Sequence, residues 1–361
     1  MKIPFLLISP KIVLKNLLIK KGGCFKYHAV IEDKIEYAYR LNSANHNILQ
    51  SSALWYNYCA IMFPERKQEG IHMAQAEEIR FKEFRERFAT EDACRAELFR
   101  LRFAEGFVCP KCGGREFYPI KGRNTYQRRC CRHQTSVTAG TVMHRTHLPL
   151  TVWFWAIWLV ATDKRGISAV QLANTLGICY DSAWHLLDRI RAAMGQRDAQ
   201  YLLNGIVEMD DGYVGGPCHG GKRGRGTEKA QVVAALSKTE QGIPLFLRLK
   251  VVPNVQNQTL QEIIAANFEK NTVVECDGYK SYLNLKDVEV HAKKYATGDL
   301  HWLHTALSNL KNLIRGTYHG RCTELQPYFD EFCFRFNRRI FAGQLFSRLT
   351  RAVAISGSVL S

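Results

Sequence analysis

The amino-acid sequence predicts an α/β protein in which a mixed sheet with flanking helices follows two smaller modules. Three observations lead to this class. From Gly205 onward, apolar β-branched runs surround one amphipathic helical pattern. Before that come a cysteine-containing turn at 109–112 and, between 167 and 194, two helical patterns separated by a glycine.

The charge balance favours a polyanionic partner. Among 361 residues, 50 are lysine or arginine and 33 are aspartate or glutamate, which gives a formal net charge of +17. A basic protein that is merely soluble is the alternative that charge alone leaves open. The strongest apolar run, 148–161, contains a proline and is too short for a bilayer, so no membrane association is predicted.

The twelve cysteines argue for reduced thiols together with a metal site, because they are placed irregularly and no convincing secretory signal precedes them. A cytoplasmic protein is therefore expected.

Residues 1–72 differ from the rest of the chain. They are apolar but interrupted by lysines, they lack a small-residue cleavage site, and no later motif depends on them. We expect Met73, or Met62, to be the natural start and the preceding segment to be an upstream extension. A genuine additional N-terminal segment is the alternative.

The following region, 73–147, is predicted to contain two helices and a zinc-ribbon-like module. Phenylalanines recur at helical spacing from Phe81, and Thr90 has the sequence context of a helix N-cap. In CPKCGG, Cys109 and Cys112 have the spacing of two thiolates that grip one tetrahedral Zn²⁺.

The second half of the predicted zinc site is irregular. Cys130 and Cys131 are adjacent instead of forming a second CxxC. Cys131 is the natural third ligand, and the fourth would be Cys130 or His133. Adjacent cysteines seldom chelate one ion comfortably, so the alternative is a β-hairpin module whose zinc site has decayed.

Residues 148–200 predict a core helix, WFWAIW, followed by a helix-turn-helix. Leu172 and Leu176 lie on the first helix of the pair, Gly177 forms the turn, and the second helix can enter a major groove. Arg189 on that helix is a candidate DNA contact, together with Tyr180, Ser182 and His185. Any small helical hairpin has the same pattern.

Residues 201–345 predict an RNase H-like domain, and 346–361 a C-terminal tail. The runs IVEMD, AQVVAALS and PLFLRLKVV are three strands, QTLQEIIAANF is a helix, and TVVECD is a fourth strand. Aspartates end the first and fourth strands. This order, with acids on those two strands, matches the RNase H-like fold.

Asp210 and Asp277 are the predicted ligands of a divalent metal, because two carboxylates brought together can hold the metal ions of phosphodiester chemistry. The period of two places Glu208 and Asp210 on one face of the strand and Asp211 on the other, which leaves Asp210 and Asp211 as rivals. Each also fits a simple turn aspartate before Gly212.

Several motifs in succession resemble those of bacterial insertion-sequence transposases of the DDE superfamily, in the subgroup with an N-terminal zinc ribbon. The resemblance runs from about Met73 to the C-terminal region. It rests on CPKCGG, QTSVTAGTVMHRTHLPL, GISAVQLANTLG, VEMDDGYVGG, GGKRGRG, CDGYKSY, SNLKNLIRGTYHG and YFDEFCFRFNRR.

The resemblance makes Asp210 the first acidic ligand and Asp277 the second. It places the third seven residues before Lys311, at His304, where such enzymes usually have Glu and sometimes Asn or His. Seven residues are nearly two helical turns, so His304 and Lys311 share a helix face. Imidazole coordinates metals but adds no negative charge, so His304 would ligate the metal or orient a water. Glu324 and Glu331 are weaker candidates for a third acid.

The implied activity is metal-dependent cleavage and strand transfer at terminal inverted repeats, with Mg²⁺ or Mn²⁺ as catalytic ion and Zn²⁺ in the ribbon. The expected partners are transposon-end and target DNA and a second copy of the chain in a synaptic complex, at the bacterial nucleoid. Lys311 and the basic loop residues Lys222, Arg223 and Arg225 would contact DNA. A DNA-binding regulator and a nuclease that does not join strands are the alternatives.

Overall fold

The computed structural model describes residues 79–120, 122–215, 229–293, 300–318 and 324–358. Residues 1–72 and the basic loop with Lys222, Arg223 and Arg225 lie outside these ranges. Within them, no helix combines the length and apolar character needed to cross a membrane.

The N-terminal helices form as the phenylalanine spacing predicts. Helix α1 spans Phe81–Arg87 and α2 spans Glu91–Arg102, with the Thr90 side chain accepting a hydrogen bond from Ala93 N as the N-cap. The ribbon module follows as an antiparallel sheet of β1 (Phe117–Ile120), β2 (Thr125–Arg128) and β3 (Gln134–Thr135).

The aromatic run forms a core helix and the following pair forms a helix-turn-helix, as predicted. Helix α3 is Leu150–Thr162, α4 is Ala169–Leu176 and α5 is Tyr180–Asp198. Gly177 ends α4 with φ of +65°, a left-handed conformation that glycine adopts without a Cβ clash.

The catalytic region contains a five-stranded sheet. Its strands are β4 (Ile206–Val214), β5 (Ala230–Lys238), β6 (Pro244–Val252), β7 (Thr272–Cys276) and β8 (Val288–Ala292). The spatial order is β6-β5-β4-β7-β8; β7 pairs in parallel with β4 and β8, and the other pairings are antiparallel. This is the RNase H-like topology that the strand order predicts; β8 adds a strand beyond those assigned from the sequence.

Helices cover both faces of this sheet. One face packs on α6 (Asn257–Asn267) and the short α7 (Lys280–Leu283). The other packs on α8 (His301–Gly316) and α9 (Gln326–Asn337). A catalytic site at the sheet therefore has helices on either side.

The predicted tail begins as a helix instead. After a 3₁₀ turn at Arg339–Gln344, α10 (Leu345–Ile355) buries Phe346, Leu349 and Val353 in one core with α1, α2, α3 and α5. Its apolar residues recur at helical spacing, and burying them against the N-terminal helices removes them from water. The helical region, which consists of α1 to α5 and α10, thus includes residues from both ends of the described chain.

Candidate active site

Two neighbouring strands bring the predicted aspartates side by side. In the parallel pairing of β4 with β7, Glu208 lies opposite Glu275, and continuing this register by two residues brings Asp210 level with Asp277. Asp277 is exposed just after β7, and its Oδ1 accepts a hydrogen bond from Tyr279 N. The two carboxylates therefore lie near each other where the pairing of β4 with β7 ends.

The position of Asp210 along its strand differs from the prediction. β4 does not end at Asp210 but continues to Val214, because Gly212 and the residues after it keep pairing with β5. Asp210 is thus fixed within a continuous strand, and only the pairing with β7 stops beside it.

The surroundings of Asp210 disfavour its charge. Burial raises its pKa, and the negative charges of Asp277 and Asp211 raise it further, while hydrogen bonds from His304 and from Asp211 N act in the opposite direction. A carboxylate with a raised pKa beside a second carboxylate is the electrostatic setting that a bound cation relieves.

Strand parity separates Asp210 from Asp211 as predicted. Asp211 lies on the α6 and α7 side, where its Oδ2 accepts a hydrogen bond of 3.3 Å from Gln231. Asp210 lies on the α8 side, where its Oδ2 is 3.1 Å from His304 Nε2. The carboxylate that faces the late helix is therefore that of Asp210.

Helix α8 presents His304 and Lys311 on the side that faces the β4 edge. Leu303, Leu307 and Leu310 are buried against the sheet, while the His304 side chain remains 48% exposed. Lys311 is half-buried and lines a cleft of about 110 Å³. The other lining residues are Tyr213, Val214, Gly215, Lys229, Ile314 and Arg315. The cationic side chains of Lys229, Lys311 and Arg315 thus border one small cleft.

A buried network beneath the aspartates was missed by the sequence reasoning. Lys238 Nζ lies 3.0 Å from Glu208 and 2.5 Å from Glu275, whose other oxygen is 2.9 Å from Lys293 Nζ. Burial alone would raise the pKa of Glu275, but Lys238 and Lys293 hold it below its usual value. The available signal was a glutamate two residues before each predicted aspartate, inside an otherwise apolar strand.

Glu208 also fixes the start of α8. Its Oε2 accepts a hydrogen bond of 3.1 Å from Leu303 N, in the first turn of α8, whose own N-cap residue supplies no side-chain acceptor. The first amides of a helix lack partners within the helix, so a carboxylate there satisfies a donor and complements the helix dipole. Because His304 directly follows Leu303, this hydrogen bond also helps to position His304 beside Asp210.

Tyr282 is a second residue that the sequence did not single out. It is fully buried, and its hydroxyl has no hydrogen-bond partner in the described structure. Burial and the nearby charges of Asp211, Asp210 and Asp277 raise the pKa of Tyr282 far above its usual range. The Tyr282 phenol is therefore neutral and packs in the core on the α6 and α7 side of the sheet.

The other predicted residues lie elsewhere. Glu331 is buried in ion pairs with Arg191 and Arg335, and Glu324 is exposed beside the helix-turn-helix. Arg189 is half-buried and donates hydrogen bonds to the carbonyls of Val142 and His144. Its contact with DNA stays a prediction.

In the ribbon, three of the four predicted cysteines come together. Ligand atoms of Cys109, Cys112 and Cys131 all lie within 4.8 Å of one another. Cys130 is exposed and is not part of this group. Within the described ranges, the thiols form the one cluster of three potential metal ligands at this spacing, so Asp210, Asp277 and His304 are less tightly gathered.

The active-site residues fit a divalent cation in their chemistry. Asp210 and Asp277 offer carboxylate oxygens, the ligands that hard cations prefer, and His304 adds an imidazole nitrogen. The raised pKa of Asp210 is a second observation in favour, since it marks a carboxylate whose negative charge lacks a counterion. Asp210 and Asp277 would hold the ion.

The fold and this site define a DDE-type polynucleotidyl transferase, with an RNase H-like sheet carrying two acids on adjacent parallel strands and a third residue on a late helix. Residues 202–337 match the family model of the ISXO2-like transposase domain, and residues 89–134 match that of the transposase zinc-ribbon domain. The chain is an insertion-sequence transposase with an N-terminal zinc ribbon, as the motifs predict, and this family implies catalysis with divalent metal ions.

Among solved structures, the chain is similar to the Mos1 strand transfer complex at 13% identity with a TM-score of 0.23, over 58% of this chain and 79% of that chain. It is also similar to the Mos1 transposase paired-end complex with the left transposon end, at 11% identity and a TM-score of 0.20, over 54% and 78%. A comparison with curated proteins gave no match.

Proposed function

We propose that this transposase binds the terminal inverted repeats of its element and catalyses strand cleavage and strand transfer with Mg²⁺ or Mn²⁺. The observation that carries the proposal is the β4–β7 register, which brings Asp210 level with Asp277 while α8 sets His304 3.1 Å from Asp210. Two carboxylates and a third polar side chain where the pairing of β4 with β7 ends suit in-line phosphoryl transfer.

Each side chain has a distinct task in this proposal. Asp210 and Asp277 hold the divalent ions, which when bound supply Lewis acidity at the scissile phosphate and lower the pKa of water. His304 Nε2 lies at hydrogen-bond distance from Asp210 Oδ2 and fixes the orientation of that carboxylate. Lys311, with Lys229 and Arg315 around the same cleft, holds the phosphate backbone next to the scissile bond.

The reaction then proceeds in two displacements. Water attacks the phosphorus at the transposon end, the P–O bond to the 3′ oxygen breaks, and a 3′-hydroxyl is released. That hydroxyl attacks a phosphodiester of target DNA, so one bond forms as another breaks. Neither step requires a covalent protein–DNA bond or a nucleotide cofactor.

The assembly and its location are part of the proposal. Two transposon ends are processed together, which requires at least a dimer in the synaptic complex, and the DNA substrate places the reaction at the bacterial nucleoid. The basic loop Lys222, Arg223 and Arg225 would hold flanking DNA.

The test is incubation of the purified chain with labelled inverted-repeat DNA and Mg²⁺ or Mn²⁺. Joined products that vanish in Asp210→Ala and Asp277→Ala are the expected result. Binding without cleavage would indicate a DNA-binding regulator, and cleavage without joining would indicate a nuclease. Full strand transfer by both alanine variants would refute the proposed site.

The role of His304 gives a separate prediction. His304→Ala should lower the rate by about 10–100-fold, the range typical when a group that orients a metal ligand is lost. His304→Glu adds an oxygen ligand and should raise activity in Mg²⁺ relative to Mn²⁺. Rates measured in each metal, with exposed Ser308→Ala on the same helix as the control, check both statements. Unchanged rates in His304→Ala would remove His304 from the site.

A further inference from the structure

The ribbon contains two turns with the same backbone hydrogen bonds. In the first, Cys109 N donates to Gly114 O and Cys109 O accepts from Gly113 N. In the second, Arg128 N donates to His133 O and Arg128 O accepts from Arg132 N. The first residue of each turn thus bonds to the fourth and fifth residues after it.

Backbone dihedral angles support the same alignment. Gly113 has φ of +68° and Arg132 has φ of +54°, so both turns place a left-handed residue at the same position. Left-handed backbone is uncommon outside glycine, and its recurrence here shows that the two turns are structural repeats. Aligned in this way, Cys112 corresponds to Cys131.

The alignment assigns the remaining positions. Cys130 corresponds to Lys111, an exposed residue in the middle of its turn, which explains why the Cys130 thiol is not grouped with the other three. Arg128 corresponds to Cys109, the first thiol of the CxxC turn. An arginine therefore stands where a regular ribbon has its fourth cysteine.

The Arg128 side chain stays with the ribbon residues. The Arg128 side chain is only 13% exposed. Its Nη1 donates a hydrogen bond of 2.6 Å to the carbonyl of Glu116, and the guanidinium also interacts with the Cys112 thiol. A Cβ on Gly114 would lie 2.2 Å from Arg128 Nε, so any larger residue at position 114 would require the guanidinium to move. A guanidinium has no lone pair for a metal, and its charge repels a cation.

The module has an apolar core that requires no metal. Ring centroids of Phe99, Phe107, Phe117 and Tyr126 lie 4.6 to 6.5 Å apart in successive contacts that join the ribbon strands to α2. Packed aromatic rings bury large areas and favour such spacings. The residues present therefore do not fit a four-thiolate zinc site, but they can hold the ribbon together.

We infer that Arg128 occupies the fourth ligand position, so that this ribbon offers Zn²⁺ only three thiolates and folds without depending on the ion. The proposal concerns the ribbon alone and does not rest on catalytic activity.

The test introduces the missing ligand into the full-length chain. Arg128→Cys should bind one Zn²⁺ per chain at least about tenfold more tightly than the wild type, because it completes a tetrahedral thiolate set. Arg129→Cys is the matched control, since it removes the same charge and adds the same thiol at an exposed neighbouring position. Zinc content and competition with a coloured chelator measure both.

A second measurement needs no variant. Wild-type protein treated with a chelator should keep its near-ultraviolet circular dichroism and its melting temperature. The inference would be overturned by a wild-type chain that holds one Zn²⁺ as tightly as Arg128→Cys, by equal gains in the two cysteine variants, or by unfolding of the wild type on metal removal.

Discussion

Asp210, which we propose as a metal ligand, occupies a position where its negative charge lowers the stability of the fold. It is enclosed in a strand interior with a second carboxylate beside it, and its hydrogen bonds from His304 and Asp211 N do not fully offset the burial. Its folded-state pKa therefore lies above the unfolded value. For an acid this means that stability is lost as pH rises through the folded pKa.

Removing this charge should stabilise the metal-free protein. Asp210→Asn is expected to raise the melting temperature at pH 7 by about 1–3 °C while abolishing strand transfer. The gain should disappear below pH 3.8, the unfolded-state value, where the wild-type carboxyl is also neutral. Thermal melts at several pH values check this, and a lower melting temperature at pH 7 would contradict it.

The elements β4 and α8 act as a unit because Glu208 connects them. Its carboxylate pairs with Lys238 from β5 and accepts the Leu303 amide from α8. Asp210 lies two residues from this contact on β4, and His304 lies one residue from it on α8. The relative position of Asp210 and His304 thus depends on the Glu208 carboxylate as well as on their own hydrogen bond.

Loss of this connection should affect both stability and rate. Glu208→Ala leaves Lys238 with one partner and Leu303 N with none, and should destabilise the fold by about 3–5 kcal/mol. Glu208→Gln keeps an acceptor for the amide and should lose less. Urea unfolding measures the free energy; strand transfer assayed where each variant is folded should fall in the same order. Equal effects of the two substitutions would argue against the amide contact.

At the scale of the whole molecule, a buried ion pair and hydrogen bonds join the helical region to α9, which packs on the five-stranded sheet. Arg191 of α5 lies 2.9 Å from Glu331 of α9, and Arg335 of α9 also donates to the carbonyls of Val160 and Asp163 at the end of α3. Burial alone would raise the pKa of Glu331, but Arg335 and Arg191 hold it below its usual value.

This arrangement predicts acid sensitivity. Because the folded pKa of Glu331 is depressed, its contribution to stability is present above the unfolded value of 4.5 and is lost as pH falls through the folded pKa. Glu331→Gln should cost about 3–5 kcal/mol at pH 7 and flatten the decline in stability below pH 4.5. Urea unfolding between pH 3 and 7 measures this, with exposed Glu324→Gln as the control. A parallel decline in both variants would contradict it.

The sequence predicted what depends on local pattern. Periods of two and of 3.6 residues located β4 to β7 and the helices α1 to α6, and the runs that include Asp210 and Asp277 indicated that these aspartates lie on neighbouring strands. The role of Glu208 depends on an amide 95 residues away, and the exclusion of Cys130 depends on backbone hydrogen bonds within a turn. Neither contact leaves a periodic signal. The placement of α10 was missed for the same reason, because its partners lie at the other end of the described chain.

The position of α10 has a consequence for synthesis on the ribosome. Phe346 contacts Phe84, Phe88 and Trp158. The core of the helical region is therefore incomplete until α10, which ends at Ile355, has left the exit tunnel. A nascent or truncated product that ends after the helix-turn-helix exposes this apolar surface and is prone to aggregation and proteolysis. Folding of the helical region is therefore tied to completion of the polypeptide, and premature termination is not expected to release a stable fragment.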